Sequence, residues 1–522
     1  MRGSRLTGLA VGLVALLVFR TTLLPGVYAW DTGEAQTVLP LMGTMHPTGF
    51  PAYVLLGWLA GVVLAPFGDP AFRTNLLSAI LVATAVGVTV PLLRRLAVPV
   101  PVAAAAALGF ALTPIVWSIS AAADAHALHL ALVALIVTAL VRWGRLVTIR
   151  DTSPGDPAAA GRADRGIVLA AALFGVGLAN HGLTILLIPA VGLFVLATDR
   201  GILRRPRLIA AALGACFGVA ALLYLQLPLR AGPFPAPLVY GHPDTWNGFW
   251  EIVLARQFQG DFRGLLGDLA PKAADLARFA FAQLGVLAVL VPPAFLVTAI
   301  RHPRYALLSG TAVAVTCLFA ASYLNANIGR YYLGPALFAW SWLAIAAGSL
   351  VDLVFARATT GPDDEAAFDT PPGPARLTLR QSVAVVLAVA MLVPTGVALI
   401  PRWRAVDRSA DTTMRLWLDE LMATLEPGAV VVSWWSLSTP IWYGQLVEGS
   451  RPDVLLIDDS NLVNDNLGTA EDVIDDYLGE RPVYVIRATA PDLQALAVRY
   501  VIDPTARPAG VYRVTGHQET EP

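Results

Sequence analysis

The sequence predicts an all-α polytopic membrane protein that carries a small α/β domain at its C-terminal end. Of its 522 residues, 56% are hydrophobic and only 14% are charged, and the mean hydropathy is +0.63. Soluble domains carry about 25% charged residues, so this composition indicates an integral membrane protein. Near residue 401 the long apolar segments give way to short β-rich runs. The net charge of −1 gives no sign of a nucleic-acid partner.

Eleven segments are apolar enough to be transmembrane helices, since a span needs about 20 mostly apolar residues. They lie at residues 6–25, 74–93, 98–118, 127–144, 166–180, 183–198, 207–227, 278–299, 305–324, 332–356 and 381–400. The fifth and sixth are short and close together, so whether they form two spans stays open. The basic N-terminal tip also resembles a cleaved signal peptide. The apolar run continues almost to Trp30, which favours an uncleaved first helix.

The arginines orient these segments, because cytoplasmic loops carry an excess of basic residues. With a cytoplasmic N-terminus, the internal face receives the arginines at 2, 5, 94, 95, 142–150, 162, 165, 200–207, 301–304 and 357–380. The C-terminal domain then lies outside. Residues 52–67 are apolar but short, and counting them as a span would move Arg94 and Arg95 outside. We therefore expect them to lie along the outer surface or to dip in partway, within a long first external loop at 26–73.

Residues 1–400 are predicted to form the transmembrane domain and residues 401–522 an extracytoplasmic α/β domain. Strand-like runs (GAVVVSWW, PDVLLIDD, RPVYVIRA and AGVYRVTG) alternate with the helix-like TTMRLWLDELMATLEP and TAEDVIDDYLGE. A second long external loop covers 228–277, and the Pro- and acid-rich residues 359–378 predict a disordered cytoplasmic linker. Both cysteines lie in apolar runs and indicate neither a disulfide nor a metal site.

Ionisable residues near membrane depth are costly and are therefore functional candidates. The predicted external face gathers Asp31, Glu34, His46, Asp124, His126, Asn180, His181, Arg230 and Arg330. Asp31 and Glu34 are three residues apart, which on a helical turn places both carboxylates on one side. Each feature also has a structural interpretation. Asp31 with Glu34 resembles a helix-capping box, His46 suits a rigid turn, Asp124 with His126 suits a solvated interface, and terminal arginines reach lipid headgroups.

The stretch from residue 30 to residue 83 resembles the signature of a known membrane family. That is the domain-of-unknown-function 2723 family, which includes the transmembrane protein O-mannosyltransferases of animals and belongs to the GT-C glycosyltransferases. Its pattern D-x-G-E, H-P-P-G-Y-P and F-R-x-N-L-x-S-A is matched at Asp31, Gly33, Glu34, His46, Pro47, Gly49, Pro51, Phe72, Arg73, Asn75, Leu76, Ser78 and Ala79. Thr48 and Phe50 depart from it, and the family has Glu and Tyr where Asp124 and His126 stand.

The resemblance implies a membrane all-α GT-C fold with surface helices in the first external loop and a catalytic aspartate just after the first helix. The implied donor is a polyprenyl-phosphate-linked sugar, such as mannose or another hexose. The implied acceptor hydroxyl belongs to a protein, a polysaccharide or a glycolipid at the cell envelope. Weaker similarity continues to about residue 240, and beyond residue 250 only the architecture is shared.

The resemblance also suggests roles for the external residues. Asp31 would be the base of an inverting transfer, and Glu34 would orient the acceptor or hold Asp31. Arg230 and Arg330 would bind the phosphate. His46 and His181 would bind sugar hydroxyls or phosphate, and the other substrate-binding candidates are Asp124, His126 and Asn180. A divalent metal is compatible with this chemistry, but the sequence has no convincing metal motif.

Two other classes of function compete with an enzyme. A transporter or flippase of a polyprenyl-linked or sugar substrate would show inverted repeats and helices broken at the bilayer midplane. Here no repeat is visible and the polar residues gather at one face, which favours an enzyme. The other alternative is a scaffold in which Asp31 only caps a helix. The aromatic runs at 433–435 and 441–443 are candidate stacking surfaces for sugar or peptide, or else part of the domain core.

Overall fold

The structure is a computed structural model that describes residues 2–153, 155–264, 268–324, 327–359 and 374–518. A bundle of long helices forms its N-terminal part. The helices of this part are α1 Arg2–Arg20, α2 Trp30–Leu41, α3 Pro51–Val63, α4 Pro70–Arg95, α5 Val100–Ala111, α6 Pro114–Ser120, α7 Ala125–Thr152, α8 Pro157–Leu178, α9 Ile188–Thr198, α10 Pro206–Tyr224, α11 Gln226–Ala231, α12 Trp246–Val253, α13 Leu269–Leu284, α14 Val291–Arg301, α15 Pro303–Ala320, α16 Leu333–Thr359, α17 Pro374–Val397 and α18 Leu399–Val406. Many begin with proline, whose fixed φ suits the first helical turn.

The predicted membrane architecture is confirmed, but the count of eleven spans is not. Within the described residues, eight helical stretches are long and apolar enough to cross a membrane, or nine if α5 and α6, bent by 68°, form one broken span. Two predicted spans fail this test. Helix α8 carries Arg162, Asp164 and Arg165 near its start, and the stretch Gly182–Thr198 is a shorter apolar helix. The orientation of the termini stays a prediction.

Two short helices fill the loop between α1 and α4, as the resemblance implies. Helix α3 has 13 residues, a length of about 20 Å that is too short for a hydrocarbon core of about 30 Å. Helix α2 ends at Leu41 and is capped by Met42, which adopts a left-handed conformation. A Cβ atom at Gly57 would come within 2.1 Å of Leu39, so glycine permits α3 to pack closely against α2. These contacts fix α2, which carries Asp31 and Glu34.

The C-terminal part forms one mixed five-stranded sheet with helices around it. Its elements are α19 Thr413–Thr424, β1 Val430–Ser433, α20 Trp435–Trp442, β2 Leu455–Asp458, α21 Asp459–Asn464, α22 Ala470–Tyr477, β3 Val483–Val485, α23 Ala490–Arg499, β4 Tyr500–Asp503 and β5 Tyr512–His517. The strand order is β2-β1-β3-β5-β4. Strand β1 runs parallel to β2 and β3, whereas β5 is antiparallel to β3 and β4. The predicted α/β character is confirmed.

Two sequence-based expectations concern the stretch from residue 359 to residue 401. The predicted domain boundary between residues 400 and 401 falls inside α18, and the division into two domains stays a prediction. Of the predicted linker at 359–378, residues 360–373 lie outside the described residues. Strand β4 has no counterpart among the predicted strands, because it follows α23 without a turn and its short run alternates only weakly.

Candidate functional site

A cavity of about 1090 Å³ lies where the loops after α1 and α6, the segment before α16 and the C-terminal part meet. Six of the predicted site residues line it, namely Asp31, His46, Asp124, His126, His181 and Arg330. Its other walls are largely apolar and include Leu183, Ile185, Leu186, Val253, Leu254, Phe258, Phe262, Val315, Leu318 and Phe319. The cavity therefore offers a charged end and a long apolar surface to one ligand.

The guanidinium of Arg330 joins two carboxylates at the charged end. Its Nη1 atom lies 2.6 Å from Oδ2 of Asp31 and 3.3 Å from Oδ2 of Asp124. Arg330 stands in a short 3₁₀ segment before α16, and Asp31 stands in the first turn of α2, where the helix dipole favours an anion. The side chain of Asp31 is 34% exposed and that of Asp124 only 13%. Asp31 is therefore the carboxylate that a ligand can reach more easily.

Asp124 is the N-cap of α7 and forms hydrogen bonds with neighbouring residues. Its Oδ1 accepts hydrogen bonds of 2.8 Å from the backbone N–H and the Nδ1 atom of His126. Its own backbone N–H donates to the Ser78 hydroxyl at 3.0 Å. Burial opposes ionisation, but the Arg330 guanidinium and then the His126 ring hold the pKa of Asp124 well below its usual range. Asp124 therefore stays anionic and helps to fix Arg330.

Glu34 does not line the cavity and holds His46 with both carboxylate oxygens. It is 1% exposed, its Oε1 accepts the backbone N–H of His46 at 2.8 Å, and its Oε2 pairs with Nδ1 of the His46 ring. Burial alone would lower the pKa of His46, but the charge and hydrogen bond of Glu34, helped by Asp31, raise it to about 9. His46 is therefore a second cation, beside Arg330, in the cavity wall.

His181 presents a neutral ring to the same cavity. It caps the 3₁₀ segment Gly182–Leu187, and its Nδ1 accepts the backbone N–H of Leu183 at 3.1 Å. Its ring centroid lies 4.5 Å from that of His126 and 5.4 Å from that of Phe50. Burial, followed by the nearby charge of His126, lowers the pKa of His181 well below its ordinary value. With Nδ1 accepting, the neutral ring carries its proton on Nε2, which makes that atom a hydrogen-bond donor.

Two remaining predicted residues, Arg230 and Asn180, do not line the cavity. The guanidinium of Arg230 donates to the carbonyls of Met42, at 2.8 Å, and Leu41, at 3.1 Å. It thus stabilises the C-terminus of α2, and its predicted contact with a phosphate stays a prediction. Asn180 is fully buried, and its Nδ2 donates to the carbonyl of Ala125 at 3.3 Å. Asn180 thus supports the start of α7, and its contact with substrate stays a prediction.

Asn75 organises the site although the sequence-based list of site residues omits it. Its side chain is fully buried and donates to the carbonyls of Leu24 and Gly26 at 3.0 and 3.2 Å. Its Oδ1 accepts from Gln36 Nε2 at 2.9 Å and from the backbone N–H of Ala123 at 3.0 Å. One amide therefore ties together the loop after α1, helix α2 and the segment before Asp124. The matched F-R-x-N-L pattern was the available signal for it.

The C-terminal part adds two residues to the cavity, one from the predicted aromatic run at 433–435 and one that no motif predicts. Trp435 and Ser460 line it, and the ring centroid of Trp435 lies 5.7 Å from that of His46. Among the residues that the structure describes, no group of three or more His, Cys, Asp or Glu side chains could hold a metal ion. What the site offers instead is an accessible carboxylate, two cations and a neutral imidazole donor.

Comparisons with known proteins agree with this architecture. Residues 31–201 match the family described as Protein O-mannosyl-transferase TMEM260 N-terminal domain. The mouse Protein O-mannosyl-transferase TMEM260 is 31% identical over 153 residues, which cover 29% of this chain and 21% of the mouse protein. The match thus spans about a fifth of that relative. The family match at residues 31–201 includes Asp31, Glu34 and His46 but not Arg330.

Solved structures show the fold over nearly the whole chain. ArnT from Cupriavidus metallidurans bound to undecaprenyl phosphate superposes with a TM-score of 0.59 at 16% identity, covering 98% of both chains. The archaeal oligosaccharyltransferase AglB from Archaeoglobus fulgidus, in complex with an inhibitory peptide and a dolichol-phosphate, gives 0.54 at 16% identity, covering 99% of this chain and 75% of AglB. The predicted GT-C fold, with its C-terminal α/β part, is confirmed.

Proposed function

We propose that the protein is an integral membrane glycosyltransferase that moves a sugar from a polyprenyl-phosphate donor to an acceptor hydroxyl at the external face. The observation that carries this proposal is the position of Arg330 between Asp31 and Asp124, at the charged end of an otherwise apolar cavity. A sugar-phosphate head on an isoprenoid tail has the same division into a polar end and a long apolar chain. The lipid phosphates bound by ArnT and AglB support this donor class.

Arg330 is the group that would bind the donor phosphate, because a guanidinium forks onto two phosphate oxygens. His46, held in its charged form by Glu34, would add a second positive charge in the same wall. The phosphate would compete with Asp31 for Arg330, while Asp124 keeps the guanidinium in place. The isoprenoid chain would lie along Leu318 and Phe319 of α15.

Asp31 is the proposed base. The acceptor oxygen attacks the anomeric carbon of the sugar, and its proton passes to the Asp31 carboxylate as the new C–O bond forms. The bond between the anomeric carbon and the phosphate oxygen breaks, and its electron pair stays on the phosphate. Arg330 and His46 stabilise that charge, so the leaving group needs no separate acid. The configuration inverts, and polyprenyl phosphate is the second product.

The other predicted residues support this step. Glu34 acts through His46, because both of its carboxylate oxygens bind that residue and it does not line the cavity. Asp124 and His126 orient Arg330, and Nε2 of His181 is a donor for a sugar hydroxyl or the phosphate. The name of the mouse relative favours mannose as the sugar and protein as the acceptor. Polysaccharide and glycolipid hydroxyls are the other acceptors that this chemistry serves, with the C-terminal part facing the acceptor outside the cell.

The test is transfer from radiolabelled polyprenyl-phosphate mannose in membranes that express the wild type, Asp31→Asn or Arg330→Ala. Both substitutions should abolish labelling at unchanged protein levels. Asp69→Asn is the matched control, since Asp69 does not line the cavity, caps α4 through Phe72, and can be replaced by asparagine as a cap. Transfer that survives in Asp31→Asn would remove Asp31 as the base. A wild type that transfers neither mannose nor any other sugar from this donor class would overturn the proposed function.

A further inference from the structure

The residue directly before Asp31 has a backbone conformation that its side chain disfavours. Trp30 has a φ of 62°, in the left-handed region. A residue other than glycine adopts this conformation at a cost, because its Cβ atom crowds the following carbonyl oxygen. The preceding residue, Ala29, offers no side chain to cap the helix. The direction in which Asp31 enters the first turn of α2 therefore depends on a strained residue.

A ring from the C-terminal part packs against that residue. The indole of Trp434 meets the indole of Trp30 edge to face, with 4.9 Å between ring centroids and 87° between planes. Such aromatic pairs stabilise a fold by more than the burial of their apolar area accounts for. Trp434 is the N-cap of α20. On its other side, Trp30 lines the cavity and is 48% exposed.

Helix α20 is seated closely on α2, so Trp434 has a fixed position relative to Trp30. The Thr37 hydroxyl of α2 lies 3.4 Å from the carbonyl of Thr439 in α20 and donates to it. A Cβ atom at Gly33 would come within 2.5 Å of the Thr439 hydroxyl. The Tyr443 hydroxyl, just beyond α20, accepts the backbone N–H of Ala71 at the start of α4. Three separate contacts thus hold α20 against the elements that carry the site.

We propose that Trp434 is a positioning residue: its ring keeps Trp30 left-handed and thereby directs Asp31 toward Arg330. This inference rests on the proposed function for the role of Asp31 as the base. Without the ring, Trp30 relaxes out of the left-handed region and the first turn of α2 shifts. The C-terminal part then contributes to the reaction rate through Trp434 without touching the reacting atoms.

Glycine and alanine at position 30 separate positioning from contact with substrate. Both remove the indole, but glycine adopts a positive φ without strain whereas alanine does not. We expect Trp30→Gly to have a lower kcat than the wild type. Trp30→Ala and Trp434→Ala should have a still lower kcat, about tenfold below that of the wild type. The donor KM should stay constant in Trp434→Ala, since Trp434 does not line the cavity and Arg330 and His46 are untouched. Adding Trp30→Gly to Trp434→Ala should restore part of the lost kcat.

Hydrogen exchange of the α2 amides gives a measurement that needs no activity. Exchange across residues 31–37 should be faster in Trp434→Ala and Trp30→Ala, and closer to wild type in the Trp30→Gly/Trp434→Ala double variant. Trp403→Ala is the control for general loss of aromatic packing, because its indole donates to Thr21 beyond α1 and not to α2. It should leave the exchange of α2 unchanged.

The outcomes distinguish this inference from the proposed function. A wild type without transfer from any polyprenyl-phosphate sugar defeats the proposed function, while the exchange data still decide the positioning. Equal kcat and equal exchange in Trp30→Gly and Trp30→Ala would show that only the lost ring matters. A double variant no better than Trp434→Ala in both measurements would likewise overturn the role of Trp434.

Discussion

Replacing Glu34 with glutamine should change how stability depends on pH. Glu34 is 1% exposed, and its charge and hydrogen bond outweigh burial to raise the pKa of His46 from 6.5 to about 9. The difference corresponds to about 3 kcal/mol of stabilisation. Because the pKa is higher in the folded protein, this contribution is complete below about pH 6.5 and is lost as the pH rises through 9. Most of it is present at pH 7.

The assay is thermal unfolding of the detergent-solubilised protein between pH 6 and pH 10. The wild type should lose stability from neutral pH up to about pH 9, whereas Glu34→Gln should be less stable at pH 7 and nearly insensitive over that interval. Glutamine still accepts the backbone N–H of His46, so the variant isolates the charge. In a His46→Gln background the same substitution should cost little, because the cation is absent. Equal pH dependence of wild type and Glu34→Gln would refute this account.

Three further substitutions test how the site is held. Gly33→Ala should lower the melting temperature and transfer activity together, by about 1–3 kcal/mol in stability, because its Cβ atom would lie 2.3 Å from the Tyr28 carbonyl oxygen and 2.5 Å from the Thr439 hydroxyl. Asn75→Leu should cost more than about 3 kcal/mol in thermal unfolding, since it leaves buried carbonyls and an N–H without partners. Arg230→Ala should lower stability but leave the donor KM unchanged; a raised KM would return Arg230 to the phosphate site.

The fold could be predicted because its main determinants are local. Long apolar runs give spans from composition alone, and four strand-like runs become β1, β2, β3 and β5. The failures also have local causes. Helix α8 is long enough to cross a membrane, but the charged residues near its start make it too polar for a span. Strand β4 begins where α23 ends, and no turn residues between them indicate the start of a strand.

The site could be predicted only as a set of residues on one face. Asp31 and Arg330 are 299 positions apart in sequence, and no pattern within either segment specifies their 2.6 Å contact. The same limit explains Arg230, whose charge predicts an anionic partner although it binds two backbone carbonyls. The pair of Trp30 and Trp434 depends on how the C-terminal part sits on α2, which neither segment encodes alone.

The proposed reaction explains why the accessible carboxylate lies in an ion pair. Without donor, Asp31 and Asp124 share the guanidinium of Arg330, while the protonated His46 is paired with Glu34. A donor phosphate adds a negative charge and draws Arg330 toward itself, so Asp31 loses much of its counter-charge. A carboxylate near a like charge and without its cation accepts a proton more readily. Donor binding would therefore activate the base, and acceptor hydroxyls would meet a competent Asp31 only when a sugar is in place to be transferred.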